Sequence, residues 1–218
     1  MPIRLPRLYP IVDVDLCRLR ALDPLALLDA FLSGGARFIQ LRDKTSRTGA
    51  LTALADAAVA RAHAAGAQLI VNDRADVARL SGADGVHVGQ DDLSVEDVRR
   101  IVGPDAIVGL STHDPAQIDA AYATGATYIA VGPIFVTATK DTGYSARGLD
   151  LLRAATAPKT GTVPVFRLPV VAIGGITLDA VPAVARAGAA AAALIAAIDT
   201  APDPSAAGRA VAAAFTAA

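Results

Sequence analysis

The chain has 218 residues, a formal net charge of −1 and only 4% aromatic residues, so neither electrostatic capture of a phosphate backbone nor base stacking is favoured and nucleic acid is not an expected partner. The single cysteine, Cys17, excludes an intramolecular disulfide framework and, with no Cys or His cluster beside it, a zinc anchor. The longest apolar run, residues 189–198, is too short to span a bilayer, and no apolar stretch with a small-residue cleavage site follows Arg4 and Arg7, so a soluble cytoplasmic protein without a membrane partner is expected.

Short β-prone runs then recur between alanine-rich helical stretches, at residues 8–14, 38–41, 68–71, 85–88, 106–110, 128–131, 170–173 and 191–195. Near-continuous apolar strands separated by helices suit a parallel sheet covered on its outer face. Helix starts are marked by Asp23-Pro24 and Asp114-Pro115, where Asp can accept a first-turn amide and proline presets the helical dihedral. Helix ends are marked by Gly35-Ala36, Gly66-Ala67, Gly82-Ala83, Gly125-Ala126 and Gly188-Ala189, with glycine able to take the left-handed cap. Eight such units in a chain of this length predict an α/β fold, a single (β/α)8 TIM barrel occupying residues 1–218 as one domain. A doubly wound open sheet is the rival architecture. The Pro-, Thr- and Val-rich stretch at residues 157–169 precedes the seventh strand, which puts it on the barrel bottom, away from chemistry.

Polar residues gather where those strands end. Gln40, Arg42 and Lys44 follow the second strand, Asn72 and Asp73 the third, Gln90 and Asp92 the fourth. Ser111 and Thr112 follow the fifth, Thr137, Thr139 and Lys140 the sixth, and Gly174-Gly175 the seventh. Ligands of such barrels sit at strand C-termini, so this ring is the expected site. Arg42 and Lys44, two apart on an extended segment, would point to one side as a polyanion requires; a solvated charge pair is the plainer reading, and Lys140 on another strand end favours a pyrophosphate-sized ligand. Asp73 and Asp92 suit Mg2+, which takes one or two carboxylates with phosphate oxygens and water; equally, Asp73 could cap the helix at residues 75–80 and Asp92 could pair with a lysine. His87, flanked by Val86 and Val88, is expected to hydrogen-bond a neighbour inside the barrel. Gly174 and Gly175 would free backbone amides for an anion, or simply make a tight turn.

Gln40-Leu41-Arg42-Asp43-Lys44, Asn72-Asp73-Arg74, the run from Asp84-Gly85-Val86-His87 through Gln90-Asp91-Asp92, Ser111-Thr112-His113, the loop from Gly132-Pro133 through Lys140, and Ala172-Ile173-Gly174-Gly175-Ile176 together resemble the thiamine phosphate synthase family over nearly the whole chain. The resemblance implies a Mg2+-dependent transferase. It would join a hydroxymethylpyrimidine pyrophosphate to a thiazole phosphate, with pyrophosphate leaving first and the thiazole nitrogen attacking the pyrimidine cation. It further implies that Gln40 orients the pyrimidine and that Arg42, Lys44, Asn72 and Lys140 hold the pyrophosphate. Asp73 and Asp92 would ligate Mg2+, Ser111 would lie beside the reacting methylene, Thr137 and Thr139 would face the phosphates, and the Gly174 and Gly175 amides would grip the thiazole phosphate. Ser111 and Lys140 are thus the expected catalytic residues.

Two departures stand out. Where the family often has a serine after the eighth strand this chain has Ala196, whose amide alone would serve the phosphate at a cost of about 1 kcal/mol for one missing hydrogen bond. The stretch at residues 157–169 is also longer than usual. A thiazole tautomerase-like barrel is the nearest alternative, but that branch lacks the combined Gln-Arg-Lys, double-Asp and Thr-Thr-Lys sets. A non-catalytic thiamine phosphate binding protein would need neither metal nor leaving-group residues. The expected partners are therefore small-molecule substrates, and the sequence leaves homo-oligomerisation open.

Overall fold

Tyr9 and Ile11 alternate with Leu8 and Val12 along the first strand, and all four are buried, because the strand lies between a filled barrel interior and a surrounding layer of helices. The computed structural model describes residues 4–137, 143–157 and 168–216. Its strands are β1 (Leu8–Asp13), β2 (Phe38–Arg42), β3 (Gln68–Asn72), β4 (Gly85–Val88), β5 (Ile107–Thr112), β6 (Tyr128–Val131), β7 (Val170–Ile173) and β8 (Ala191–Leu194). The helices are α1 (Val14–Leu19), α2 (Pro24–Ser33), α3 (Thr48–Ala64), α4 (Ala75–Ser81), α5 (Val95–Val102), α6 (Pro115–Ala121), α7 (Gly148–Thr156), α8 (Val181–Arg186), α9 (Ala196–Asp199) and α10 (Pro204–Thr216). Every strand pairs in parallel with its sequence neighbours, and Leu8 opposite Ala192 joins β1 to β8. The sheet is therefore a closed (β/α)8 barrel, and the open doubly wound sheet is excluded.

The punctuation of the sequence acts as its chemistry suggests. Asp23 Oδ1 accepts the Leu25 amide at 2.9 Å and Asp114 Oδ1 accepts the Gln117 amide at 2.9 Å, each in front of a proline. All five Gly-Ala glycines have positive φ, from 68° at Gly66 to 93° at Gly188, a conformation that costs other residues about 1–2 kcal/mol. The first strand ends one residue earlier than the run at 8–14 implied. Asp13 Oδ1 accepts the Leu16 amide at 3.1 Å and starts α1 directly from the strand end. The segment at 157–169 falls largely outside the described residues; its described ends, Ala157 after α7 and Leu168-Pro169 before β7, lie at the bottom of the barrel.

Inside the barrel, Tyr9, Phe38 and Tyr128 meet edge to face or tilted, with ring centroids 4.5 to 6.0 Å apart, in one cluster with Ile70, Ile107 and Val171. Burying such a ring stabilises by about 2–3 kcal/mol, but an unpaired buried hydroxyl would cancel much of that at about 1–3 kcal/mol. Both tyrosine hydroxyls are paired, to each other at 2.8 Å and onward to polar side chains. Gly109 makes the arrangement sterically feasible, since a Cβ there would lie 2.2 Å from Tyr128 Cζ and 2.5 Å from His87 Nδ1. Barrel interior and strand C-termini are thereby linked through hydrogen bonds as well as packing.

Candidate active site

Phe38, Gln40 and Arg42 share the inward face of β2, as the two-residue period of a strand requires. Gln40 Nε2 donates to Tyr9 Oη at 2.8 Å. Register places Arg42 opposite Asp13 on β1, and the half-buried Arg42 forms an ion pair with the buried Asp13. Lys44, beyond the strand end, pairs instead with Asp73. Each cation thus has its own carboxylate. Arg42 nevertheless keeps a buried Nε–H with no partner among the described residues.

The Lys44 loop is held by groups that the sequence reading passed over. Asp15 Oδ2 accepts the Lys44 amide at 3.0 Å, and Arg18 bonds Asp43 Oδ2 at 3.1 Å. Burial pushes the Asp43 carboxyl up, but hydrogen bonds from Ser46, Arg18 and Thr45 outweigh it and hold the pKa below the ordinary value. Asp43 stands within the quoted Gln40 to Lys44 motif, so its position was visible while its role was not.

Asn72, buried, ends β3 opposite His87, and Asp73 follows with φ +60°. Left-handed backbone at a non-glycine residue costs on the order of 1–3 kcal/mol and persists only where surroundings enforce it. Here the Asp73 amide donates to the His87 carbonyl at 2.8 Å. The helix-cap reading of Asp73 is wrong: α4 starts from Arg74 with no side-chain cap bond, and the Asp73 carboxylate turns to Lys44 and Asp92. Asp92 Oδ2 accepts the Gly89 amide at 2.8 Å. Burial raises the Asp73 pKa, the Asp92 carboxylate raises it further, and Lys44 opposes both. Two acids from adjacent strand ends thus face one another beside one lysine. Among the described residues no group of three or more His, Cys, Asp or Glu could hold a metal ion.

His87 sits as expected, inside the barrel, with Nδ1 3.0 Å from Tyr128 Oη and Nε2 2.9 Å from Ser111 Oγ. Gln90 Nε2 donates to the Ser111 carbonyl at 2.6 Å, which fixes the end of β5 from the β4 loop. Thr112 is fully buried and donates to the Ala130 carbonyl at 3.1 Å, a structural bond rather than a site contact.

Ser111 also lines a cavity of about 100 Å³, with His113, Thr137, Gly174, Gly175 and Ala196. The connection after β6 is zipped onto β7 by Ile134 N to Ile173 O and Phe135 N to Gly174 O, both at 2.9 Å. Gly174 and Gly175 have φ of 93° and 64°, and a Cβ on Gly175 would meet Val136 O at 2.4 Å. These are therefore close-approach glycines rather than a simple tight turn. The wall residue His113, its Nδ1 2.6 Å from the Gly132 carbonyl and its ring stacked 4.3 Å from Tyr144, was not singled out from the sequence. Thr139 and Lys140 lie outside the described residues. Ala196 opens the short α9, which ends in Asp199, buried with neither carboxylate oxygen hydrogen-bonded among the described residues. Burial pushes the Asp199 pKa up to about 7 while Arg20 pulls it down and Asp13 raises it. Its acid form avoids an unpaired buried charge.

The C-terminal rim thus has two halves: a charged one of Arg42, Lys44, Asp73 and Asp92, and a mostly apolar cavity at the ends of β5 to β8. Ser111 lies at the cavity and is tied through His87 to the barrel interior. Among the described residues no helix is long and apolar enough to cross a membrane. The family model described as thiamine monophosphate synthase matches residues 8–198. A thiamine-phosphate synthase from Anaeromyxobacter dehalogenans is 48% identical over 195 residues, covering 89% of this chain and 84% of the relative. One from Mycobacterium bovis is 46% identical over 203 residues, covering 87% of each. Among solved structures, thiamine phosphate pyrophosphorylase from Pyrococcus furiosus superposes with a TM-score of 0.84 at 29% identity, covering 97% of this chain and 96% of that one.

Proposed function

Because the chain belongs to the thiamine monophosphate synthase family, a family of transferases in thiamine biosynthesis, we propose that it condenses hydroxymethylpyrimidine pyrophosphate with hydroxyethylthiazole phosphate to thiamine phosphate and pyrophosphate. The observation that carries this reading is the division of the rim, with paired acids and cations on one side and a mostly apolar cavity bordered by Gly174, Gly175 and Ala196 on the other. One substrate brings a pyrophosphate and the other a thiazole ring with a single phosphate, so a charged half beside an apolar one is what the reaction needs.

In the reaction the methylene C–O bond breaks, its electron pair leaves on pyrophosphate, and the thiazole nitrogen lone pair forms the new C–N bond. The chain must hold the departing anion and keep water from the cation. Arg42, Lys44, Asn72 and Lys140 would bind the pyrophosphate, and the orphaned Arg42 Nε–H is a donor that a phosphate oxygen would satisfy. Thr137 and Thr139 would face the phosphates, with the Gly174, Gly175 and Ala196 amides at the thiazole phosphate. Gln40 would orient the pyrimidine and Ser111 would lie at the reacting carbon.

Asp73 and Asp92 would hold Mg2+. The fit rests on the Asp92 carboxylate standing against that of Asp73, whose pKa burial and Asp92 raise and Lys44 lowers. When bound, Mg2+ supplies positive charge at the leaving oxygens.

Preorganised charge at a developing anion typically contributes about 10²–10³-fold in rate per donor. Lys140→Ala is therefore expected to lower kcat by about that factor while thiamine phosphate binding changes little. Turnover that survives while product binding falls would overturn the assignment of Lys140 to the leaving-group site.

A further inference from the structure

We infer that Tyr9, Tyr128 and His87 are positioning residues: a one-way hydrogen-bond chain that starts at Gln40 and presents the Ser111 hydroxyl as a donor to the cavity. The inference deepens the reading above and rests on it in two respects, that Gln40 meets the pyrimidine and that Ser111 faces the reacting carbon.

The direction follows from valence. Gln40 Nε2, 2.8 Å from Tyr9 Oη, can only donate. Tyr9 has one hydroxyl proton, which then goes to Tyr128 Oη at 2.8 Å. Tyr128 in turn gives its proton to His87 Nδ1 at 3.0 Å, so Nδ1 must be the accepting nitrogen. A neutral imidazole that accepts at Nδ1 carries its proton on Nε2, and Nε2 donates to Ser111 Oγ at 2.9 Å. Ser111 accepts in this chain, so its own proton is directed elsewhere, and Ser111 lines the cavity. The opposite polarity would put the Gln40 carbonyl on Tyr9, a proton on His87 Nδ1, and the Ser111 proton on His87 Nε2.

The chain is built for fixed polarity. Burial pushes both phenols above their ordinary pKa, so each keeps the one proton that its link requires. The His87 and Tyr128 rings lie within 26° of parallel, and only a glycine at position 109 leaves room for them. Hydrogen-bonded chains in a low-dielectric interior reinforce one another. No proton is transferred: each link orients the next, so a glutamine that meets the pyrimidine is coupled to the hydroxyl beside its methylene.

The test uses the full-length protein with ¹⁵N-labelled histidine. The neutral His87 imidazole is expected to carry its proton on Nε2 and to be bare at Nδ1. A Nδ1–H tautomer, or a cation, would overturn the inference. In the kinetic arm, Tyr128→Phe is expected to lower kcat about tenfold with KM for the thiazole phosphate unchanged, and to have no further effect in a Ser111→Ala background. Losses that multiply in the double variant would show that Tyr128 acts other than through Ser111, and the inference would fall. Should Tyr128→Phe not fold, the tautomer of the unaltered protein still decides. An unaltered protein that forms no product would sink the proposed reaction while leaving the tautomer measurement to judge the chain.

Discussion

Asp73→Asn is expected to lower kcat/KM for thiamine phosphate formation by about 10²–10³-fold while leaving the melting temperature within a few degrees of the unaltered protein. Asparagine keeps the size of the side chain and is among the residues that tolerate positive φ, which matters because Asp73 sits at φ +60°. It removes the negative charge that Lys44 pairs with and that faces Asp92. An alanine would add backbone strain and confuse the two effects. Activity within tenfold of the unaltered protein, measured at saturating Mg2+ with both substrates, would dismiss Asp73 as a metal ligand. The strained backbone points the same way: a residue bent into the left-handed region, rather than into a helix cap, makes sense where its carboxylate has to face the site.

Gly175→Ala is expected to destabilise the protein by about 2–5 kcal/mol, the sum of left-handed strain and a backbone collision. For a chain of this size that corresponds to a fall of about 5–15 °C in Tm. The new methyl would lie 2.4 Å from Val136 O and 2.7 Å from Phe135 O, both main-chain atoms that cannot swing away. Gly66→Ala supplies the comparison, since Gly66 has φ +68° but nothing within 4 Å of a Cβ. Strain alone should cost it about 1–2 kcal/mol. Equal losses in the two variants, measured by thermal melts, would refute the close approach between the ends of β6 and β7. Residual Gly175→Ala enzyme should also show a raised KM for the thiazole phosphate, because the displaced loop forms the cavity wall.

Much of the fold could be read from local pattern, and what could not was non-local. Apolar strands such as residues 128–131 and the Gly-Ala glycines after five of the helices are local signals, and both stand where they were expected. Barrel closure depends on Leu8 meeting Ala192, two positions with no mutual signature. His87 was readable as an interior histidine because valines flank it, but its partners Tyr128 and Ser111 come from other strands. Arg42 was read with Lys44 as a polyanion-binding or solvated charge pair because nothing local announces Asp13; only the register of β1 against β2 brings Arg42 and Asp13 together. Asp73 before a helix resembled a cap, and the competing pull of Lys44 twenty-nine residues away decided otherwise. Gly175 could be read as a turn glycine, whereas the group that forbids a side chain there lies in the connection after β6.

The measurement that bears most directly on the central claim is product formation by the purified protein. Hydroxymethylpyrimidine pyrophosphate and hydroxyethylthiazole phosphate would be incubated with it and Mg2+, with and without EDTA, and thiamine phosphate separated by chromatography. Thiamine phosphate and pyrophosphate are expected in equal amounts, lost with EDTA and restored by excess Mg2+. Binding of both substrates without any product in the presence of Mg2+ would contradict the claim.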